Sequence, residues 1–279
     1  VACDTSAAAD MSFVVNCSML LTDLPVLRRP QAARDAGFDA VEFWWPFDDA
    51  VPADAEIDAF VGAVADAGVR LTALNFAGGD MAAGERGLLS DPRRRQEFRD
   101  NADIVFGIAD RLGTRAFNAL YGNRLAGVDA PRQDEVAAAN LEHVGRMAEH
   151  LGAIVLIEPL SGVDGYPLRT AADVLAVIGR VEATSLRLLA DLYHLGVNGD
   201  DIDAVIDDHL DLIGHVQIAD VPGRGAPGTG FLDIGGYLQR LADRGYRGHV
   251  SLEYRADGPD PFGWLPWSRR GGRSRNPPE

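Results

Sequence analysis

The sequence predicts an α/β fold, a single-domain (β/α)8 TIM barrel, on three observations. Eight apolar runs of strand length recur along the chain, amphipathic charge-rich segments separate them, and a glycine stands just before several of the runs. Continuous rather than alternating hydrophobicity marks a parallel strand covered on both faces. Eight strand–helix units of about 30 residues fill a chain of 279 residues, a length that one barrel domain occupies.

The first run is FVVNCSM, from Phe13. The stretch NCSMLLTDLP has no glycine, whereas a doubly wound sheet, the competing fold, carries a Gly-rich phosphate turn there. RDAGFD stops the next helix at Gly37, before AVEFW from Ala40, and ADAGVR stops another at Gly68, before VRLTALNF. DPRRRQEFRDNADIVFGIADRLG has a proline near its start and closes at Gly113, as helices tend to do; RAFNALYG follows from Arg115. PRQDEVAAANLEHVGRMAEHLG repeats the pattern from Pro131 to Gly152 and leads into AIVLIEPL. LRLLADLYH from Leu186, IGHVQIAD from Ile213 and, after DRGYRG, HVSLEYR from His249 complete the set. The barrel is assigned to residues 12–266. Residues 1–11 are small and polar, without the apolar core of a signal peptide, and are expected to be a disordered extension. Residues 267–279 end in RRGGRSRNPPE and are expected to be a disordered tail.

Composition narrows the function. A formal net charge of −16 offers no basic stripe and repels nucleic acid, and no apolar run nears the length of a membrane span. The two cysteines, Cys3 and Cys17, supply neither a disulfide framework nor a CxxC site, which fits a cytoplasmic protein. All 26 basic residues are arginine, so Schiff-base chemistry through lysine is excluded. The expected partner is a small-molecule substrate, and any of the outer helices could join copies into a homo-oligomer.

Side chains near the C-terminal ends of barrel strands face the catalytic mouth. Those positions hold Glu42 in VEFWW, Glu158 in IEP, Asp191 in ADLYH, Gln217 in HVQIAD and Glu253 in SLEY. A buried carboxylate needs a partner, and three carboxylates with an amide oxygen form a hard oxygen set suited to Mg²⁺ or Mn²⁺. Glu158, Asp191, Gln217 and Glu253 are therefore the candidate ligands; the alternative is that some are paired to loop arginines. His194, three residues after Asp191, could present a ring nitrogen to a substrate oxygen or bond a backbone carbonyl, and Arg224 could clamp a substrate carboxylate. Glu42 is a further candidate for substrate contact. His215 reads as a satisfied core histidine, and the aromatic run FWWPF as a pocket wall or a bulky cap.

NCSMLLTDLP, RDAGFDAVEFWWPF, NFAGGDMAAGERGL, HVQIADVPGR and LEY together resemble, in order, the hydroxypyruvate isomerase family of xylose isomerase-like barrels, with GDMAAGERGL the most specific phrase. The resemblance implies a metal-assisted aldose–ketose-type isomerisation of hydroxypyruvate and tartronate semialdehyde, or of a related 2-oxo acid such as 2-oxotetronate. It places the two catalytic glutamates on Glu158 and Glu253 and the other metal positions on Asp191 and Gln217. Sugar epimerases of the superfamily carry histidine where Gln217 stands. The chain departs from the family at Gly225, Ala226 and Phe231, where polar residues are usual, so specificity is expected to differ there. Competing readings are a keto-sugar 3-epimerase, dehydratase or lyase on the same site, and a catalytically inactive binding protein. A metal-dependent phosphodiester hydrolase is disfavoured, because it needs more histidine ligands and a basic face.

Overall fold

The computed structural model describes residues 11–256, 258 and 260–271. Eight parallel strands close into one barrel in sequence order. They are β1 (Ser12–Asn16), β2 (Ala40–Phe43), β3 (Arg70–Asn75), β4 (Ala116–Asn118), β5 (Ile154–Ile157), β6 (Leu186–Asp191), β7 (Ile213–Ile218) and β8 (His249–Leu252). Each of the eight apolar runs thus became a strand, and β1 pairs with β8 through Phe13 and Val250 to shut the ring. The helices are α1 (Arg29–Asp35), α2 (Asp54–Ala67), α3 (Arg95–Leu112), α4 (Ala130–His150), α5 (Ala171–Ile178), α6 (Leu192–Asn198), α7 (Ile202–His209) and α8 (Ile234–Asp243). The predicted stops act as expected: Gly68 and Gly113 cap α2 and α3 in the left-handed conformation. None of the helices among the described residues is long and apolar enough to cross a membrane.

Order persists beyond residue 266, which corrects the expected boundary of the tail. Trp267–Arg269 form a 3-10 turn. Arg270 donates from Nη1 to Ala36 O at 3.2 Å and from Nη2 to Phe262 O at 2.9 Å. The Arg270 guanidinium also stacks over Trp267. Aromatic contact area and buried carbonyl partners together outweigh the compositional bias toward disorder. Residues 1–10 and 272–279, also expected to lack structure, lie outside the described residues.

Long polar side chains on the helices fix the loops at the catalytic end. Asn101 of α3 accepts from Ala77 N at 2.9 Å and donates to Ala50 O at 2.8 Å, tying the loops after β3 and β2 to one helix. Asn140 of α4 donates to Leu89 O at 2.9 Å, and Gln133 of α4 accepts from Leu125 N at 3.0 Å. Loop backbone groups that would be costly to bury unpaired are thereby satisfied.

The opposite end carries a pH-sensitive group. Burial, followed by repulsion from His215 and Arg70, pulls the His249 imidazole down from 6.5 to about 4. Between those two values the unfolded chain binds a proton that the folded chain refuses, so stability is full above 6.5 and declines as pH falls toward 4. In chelator-treated protein, the urea midpoint of the His249→Gln variant is expected to fall less steeply across that interval than that of the wild type. Parallel slopes would refute the assignment.

Candidate active site

The loops after the strands enclose a cavity of about 570 Å³ whose wall includes Trp44, Asn75, Glu158, His194, Arg224 and Glu253. The ends of β5 and β8 bring Glu158 and Glu253 to its wall. Glu158 directly follows β5, and Asp191 ends β6 in register with Gln217 of β7. Glu253 is the first residue after β8. Glu158, Asp191, Gln217 and Glu253 are all buried.

Each carboxylate is held by specific donors. Asn118 Nδ2, at the end of β4, donates to Glu158 Oε2 at 2.7 Å. Asp191 divides its oxygens. Oδ1 accepts from Tyr193 N at 2.9 Å and starts α6, while Oδ2 accepts from Arg224 Nη2 at 3.0 Å. Glu253 Oε1 accepts from the same Nη2 at 2.8 Å and from Trp44 Nε1 at 3.1 Å. Two of the strand-end acids are thus paired to a loop arginine, the alternative their sequence context allowed. Arg224 stacks over the Tyr193 ring and sits in the left-handed region at φ 59°, an uncommon conformation for a residue with a side chain.

Asp220, which the strand pattern did not single out, holds that conformation in place. Its two carboxylate oxygens accept from the backbone N–H groups of Val221, Gly228, Gly230 and Leu232 at 2.8 to 3.0 Å, stitching the β7–α8 loop that carries Arg224. A Cβ at Gly230 would lie 2.0 Å from Val221 O, so only glycine fits there. The signal available in the sequence was an acid beside a turn rich in glycine and proline.

One guanidinium cannot balance three buried carboxylates. Burial first, then the Asp191 charge, pushes the Glu158 carboxyl up to about 8 against the opposing pull of Arg224. Burial likewise drives Glu253 well above the usual carboxylate range, outweighing Arg224. Two like charges 4 Å apart repel by about 4 kcal/mol at an effective dielectric of about 20. A further cation would relieve this crowding, and the donor set fits one. Gln217 Oε1 and Glu253 Oε2 are buried oxygens with no hydrogen-bond partner among the described residues. Ligand atoms of Glu158, Asp191 and His194 all lie within 4.8 Å of one another.

The inclusion of His194 in that cluster differs from the expected ligand set, and its hydrogen bonding decides its role. Ser161 N donates to His194 Nδ1 at 2.9 Å, which commits the Nδ1 lone pair and puts the ring proton on Nε2. Burial first, with Asp191 opposing and Arg224 assisting, brings the imidazole down to about 4, so it is neutral at pH 7. A protonated Nε2 is a donor and not a metal ligand. It points between Glu158 Oε1, 3.9 Å away, and Asp191 Oδ2, 3.6 Å away.

Glu42 does not reach the cavity wall, contrary to its expected role in substrate contact. Oε1 accepts from Gln217 Nε2 at 2.8 Å and from Asn16 Nδ2 at 2.7 Å, while Oε2 lies 2.6 Å from His215 Nε2. Burial pushes its carboxyl up, but the facing His215 and the surrounding hydrogen bonds outweigh this and hold it below the usual range. The pairing between β2 and β3 shifts register between Val41 and Glu42, an irregularity invisible in the residue pattern. By engaging the Gln217 amide nitrogen, Glu42 leaves the Gln217 oxygen as the free end. His215 is the satisfied core histidine its position suggested. The aromatic run divides its work, since Trp44 walls the cavity while Trp45 and Phe47 pack edge-on in the cap above Phe60.

The xylose isomerase-like TIM barrel family matches residues 30–271. A Streptomyces coelicolor protein named "Putative hydroxypyruvate isomerase" is 50% identical over 277 residues, covering 95% of this chain and 99% of the relative. The Escherichia coli protein named hydroxypyruvate isomerase is 32% identical, covering 88% of this chain and 93% of its own. A crystal structure of AP endonuclease, family 2 from Brucella melitensis superposes with a TM-score of 0.83 at 31% identity, covering 91% of this chain and 98% of that one. The resemblance first visible in GDMAAGERGL and HVQIADVPGR extends over nearly the whole barrel, and the chain belongs to the hydroxypyruvate isomerase family of xylose isomerase-like TIM barrels.

Proposed function

We propose that the protein is a divalent-metal-dependent isomerase that interconverts hydroxypyruvate and tartronate semialdehyde, or a closely related 2-oxo acid such as 2-oxotetronate. The observation that carries this reading is the pair of buried glutamates, Glu158 and Glu253, which enter one cavity from β5 and β8 with carboxyls that burial pushes upward. Glu158, Asp191, Gln217 and Glu253 would hold the ion, Mg²⁺ or Mn²⁺ by the hardness of their oxygens. Bound there, such an ion supplies Lewis-acid polarisation of the carbonyl and neutralises the oxygen charge that develops.

The residues of the chain account for the proton transfers. One glutamate removes the C3 proton of hydroxypyruvate, leaving an enediolate, and the other delivers a proton to C2; the proton of the C3 hydroxyl passes to the C2 oxygen, so that C2 carries the hydroxyl and C3 becomes the aldehyde. His194, neutral with its proton on Nε2, donates to a substrate oxygen as negative charge grows. Arg224 fixes Asp191 and Glu253 relative to each other through its shared Nη2. Asn118 fixes Glu158. A cavity of about 570 Å³ has room for a four-carbon acid as well as a three-carbon one. A nuclease reading lacks support, because the chain carries a net charge of −16 and the acid cluster includes a single histidine, which acts as a donor.

The test is an assay of chelator-stripped protein on hydroxypyruvate and 2-oxotetronate beside a panel of ketoses, before and after addition of Mg²⁺ or Mn²⁺. Turnover of a 2-oxo acid that depends on the added ion is expected. Preferential turnover of a ketose would favour an epimerase. No turnover of any substrate with either ion would sink the isomerase reading.

A further inference from the structure

The phrase GDMAAGERGL lies in the loop after β3 and carries an arginine for which the chemistry above found no use. Arg86 lines the same cavity as Glu158 and Glu253. Its main chain is clamped on both sides: Arg86 N donates to Asn123 Oδ1 at 2.8 Å, and its carbonyl accepts from Gly122 N at 2.9 Å. The next residue, Gly87, adopts φ 110°, and a Cβ there would lie 2.0 Å from Leu120 O. The loop is therefore built to hold Arg86 where it is.

The guanidinium is tethered at one corner. Nη1 donates to Met81 O at 2.9 Å and to Glu85 O at 2.6 Å. Both partners are neutral carbonyls, and no hydrogen bond to Nε or Nη2 and no carboxylate partner occurs among the described residues. The open edge formed by Nε and Nη2 is the edge with which arginine grips a carboxylate in two parallel hydrogen bonds. Asn75, at the end of β3, adds a buried carboxamide to the cavity wall that also has no hydrogen-bond partner among the described residues.

The other arginines of the cavity wall are less available. Glu158, Asp191 and Glu253 surround Arg224, whose Nη2 is committed to two of them. Arg224 is therefore not free to grip a substrate carboxylate, whereas Arg86 has no carboxylate partner among the described residues. Arg255 also borders the cavity, but it is exposed and its charge is dispersed in water. We propose that Arg86 is the carboxylate-binding residue of this site, its Nε and Nη2 forming a fork on an organic acid while Asn75 offers a further hydrogen bond. The site thereby selects 2-oxo and 2-hydroxy acids over neutral sugars of similar size. The proposal deepens the isomerase reading and rests on it only for which acid is turned over.

The test is calorimetric titration of the Mn²⁺-supplemented protein with glycerate and with its neutral amide, glyceramide, which differ in the carboxylate alone. The wild type is expected to bind glycerate the more tightly. Arg86→Met should weaken glycerate on the order of 30-fold, the loss of charged hydrogen bonds, and weaken glyceramide far less. Arg86→Lys should recover part of the difference, keeping the charge without the fork. Equal weakening of both ligands would mean a structural role and overturn the proposal, as would a wild type that binds glycerate no better than glyceramide. Hydroxypyruvate turnover is measured separately. Turnover without carboxylate preference sinks the Arg86 assignment alone, and carboxylate preference without turnover of any 2-oxo acid sinks the isomerase reading alone.

Discussion

Glu158→Gln is expected to lower kcat on hydroxypyruvate on the order of 10³-fold at saturating Mn²⁺, the scale of a lost general base or acid. Glutamine keeps the volume and an oxygen for the Asn118 donor, so the barrel should survive intact. What it loses is the ability to take up a proton. A carboxylate can accept and release a proton during turnover, which glutamine cannot do at any pH. Glu253→Gln should lose activity on the same scale. Its Oε1 contacts to Arg224 and Trp44 can be kept by the amide oxygen, so the loss again isolates proton transfer from shape. Steady-state rates across a range of Mn²⁺ concentrations decide the matter, because a variant impaired only in ion binding recovers at high Mn²⁺. Near-normal kcat in both variants would remove the glutamates from the proton path.

The strands were legible because burial on both faces leaves a continuous apolar run, and a carboxylate or amide that interrupts such a run at its end must face something polar. Glu158, Asp191, Gln217 and Glu253 were singled out by that logic; all four are buried beside the strand ends, and Glu158 and Glu253 line the cavity. The same logic misplaced Glu42. Which way a strand-end side chain points depends on stagger between neighbours, and β2 shifts by a residue against β3 just before Glu42. Loop chemistry was harder to read. The partners of Arg224 and the fourfold use of Asp220 depend on how residues 220–232 fold back on themselves, a matter of turn geometry. Asn118 and Arg86 lay in plain view in the sequence. An amide or arginine gains meaning only from what faces it, and Glu158 is 40 positions from Asn118 in the chain.

The displaced Glu42 yields the second large expected effect. Three side-chain nitrogens converge on one buried carboxylate: Asn16 Nδ2, Gln217 Nε2 and His215 Nε2. Glu42→Ala takes the shared acceptor from all three in a buried setting, and breaking a buried charged network of this kind costs about 3–5 kcal/mol. Urea unfolding of chelator-treated protein should show a loss of that size; a loss below about 1 kcal/mol, the level of a single ordinary hydrogen bond, would mean the network contributes little. Glu42→Gln probes function more finely. It keeps the volume but offers a donor where only acceptors were wanted, so the Gln217 amide gains a reason to turn over and withdraw its oxygen from the acid cluster. Partners behind a metal ligand typically account for about 10–100-fold in affinity, and a fall of that order in Mn²⁺ affinity is expected by calorimetry, with stability reduced less than in Glu42→Ala. Wild-type Mn²⁺ affinity in Glu42→Gln would detach Gln217 from the ion. Affinity lost in proportion to stability would make Glu42 a packing residue only. The combination expected, modest destabilisation with a disproportionate loss of ion binding, follows from one carboxylate sorting the two ends of one amide.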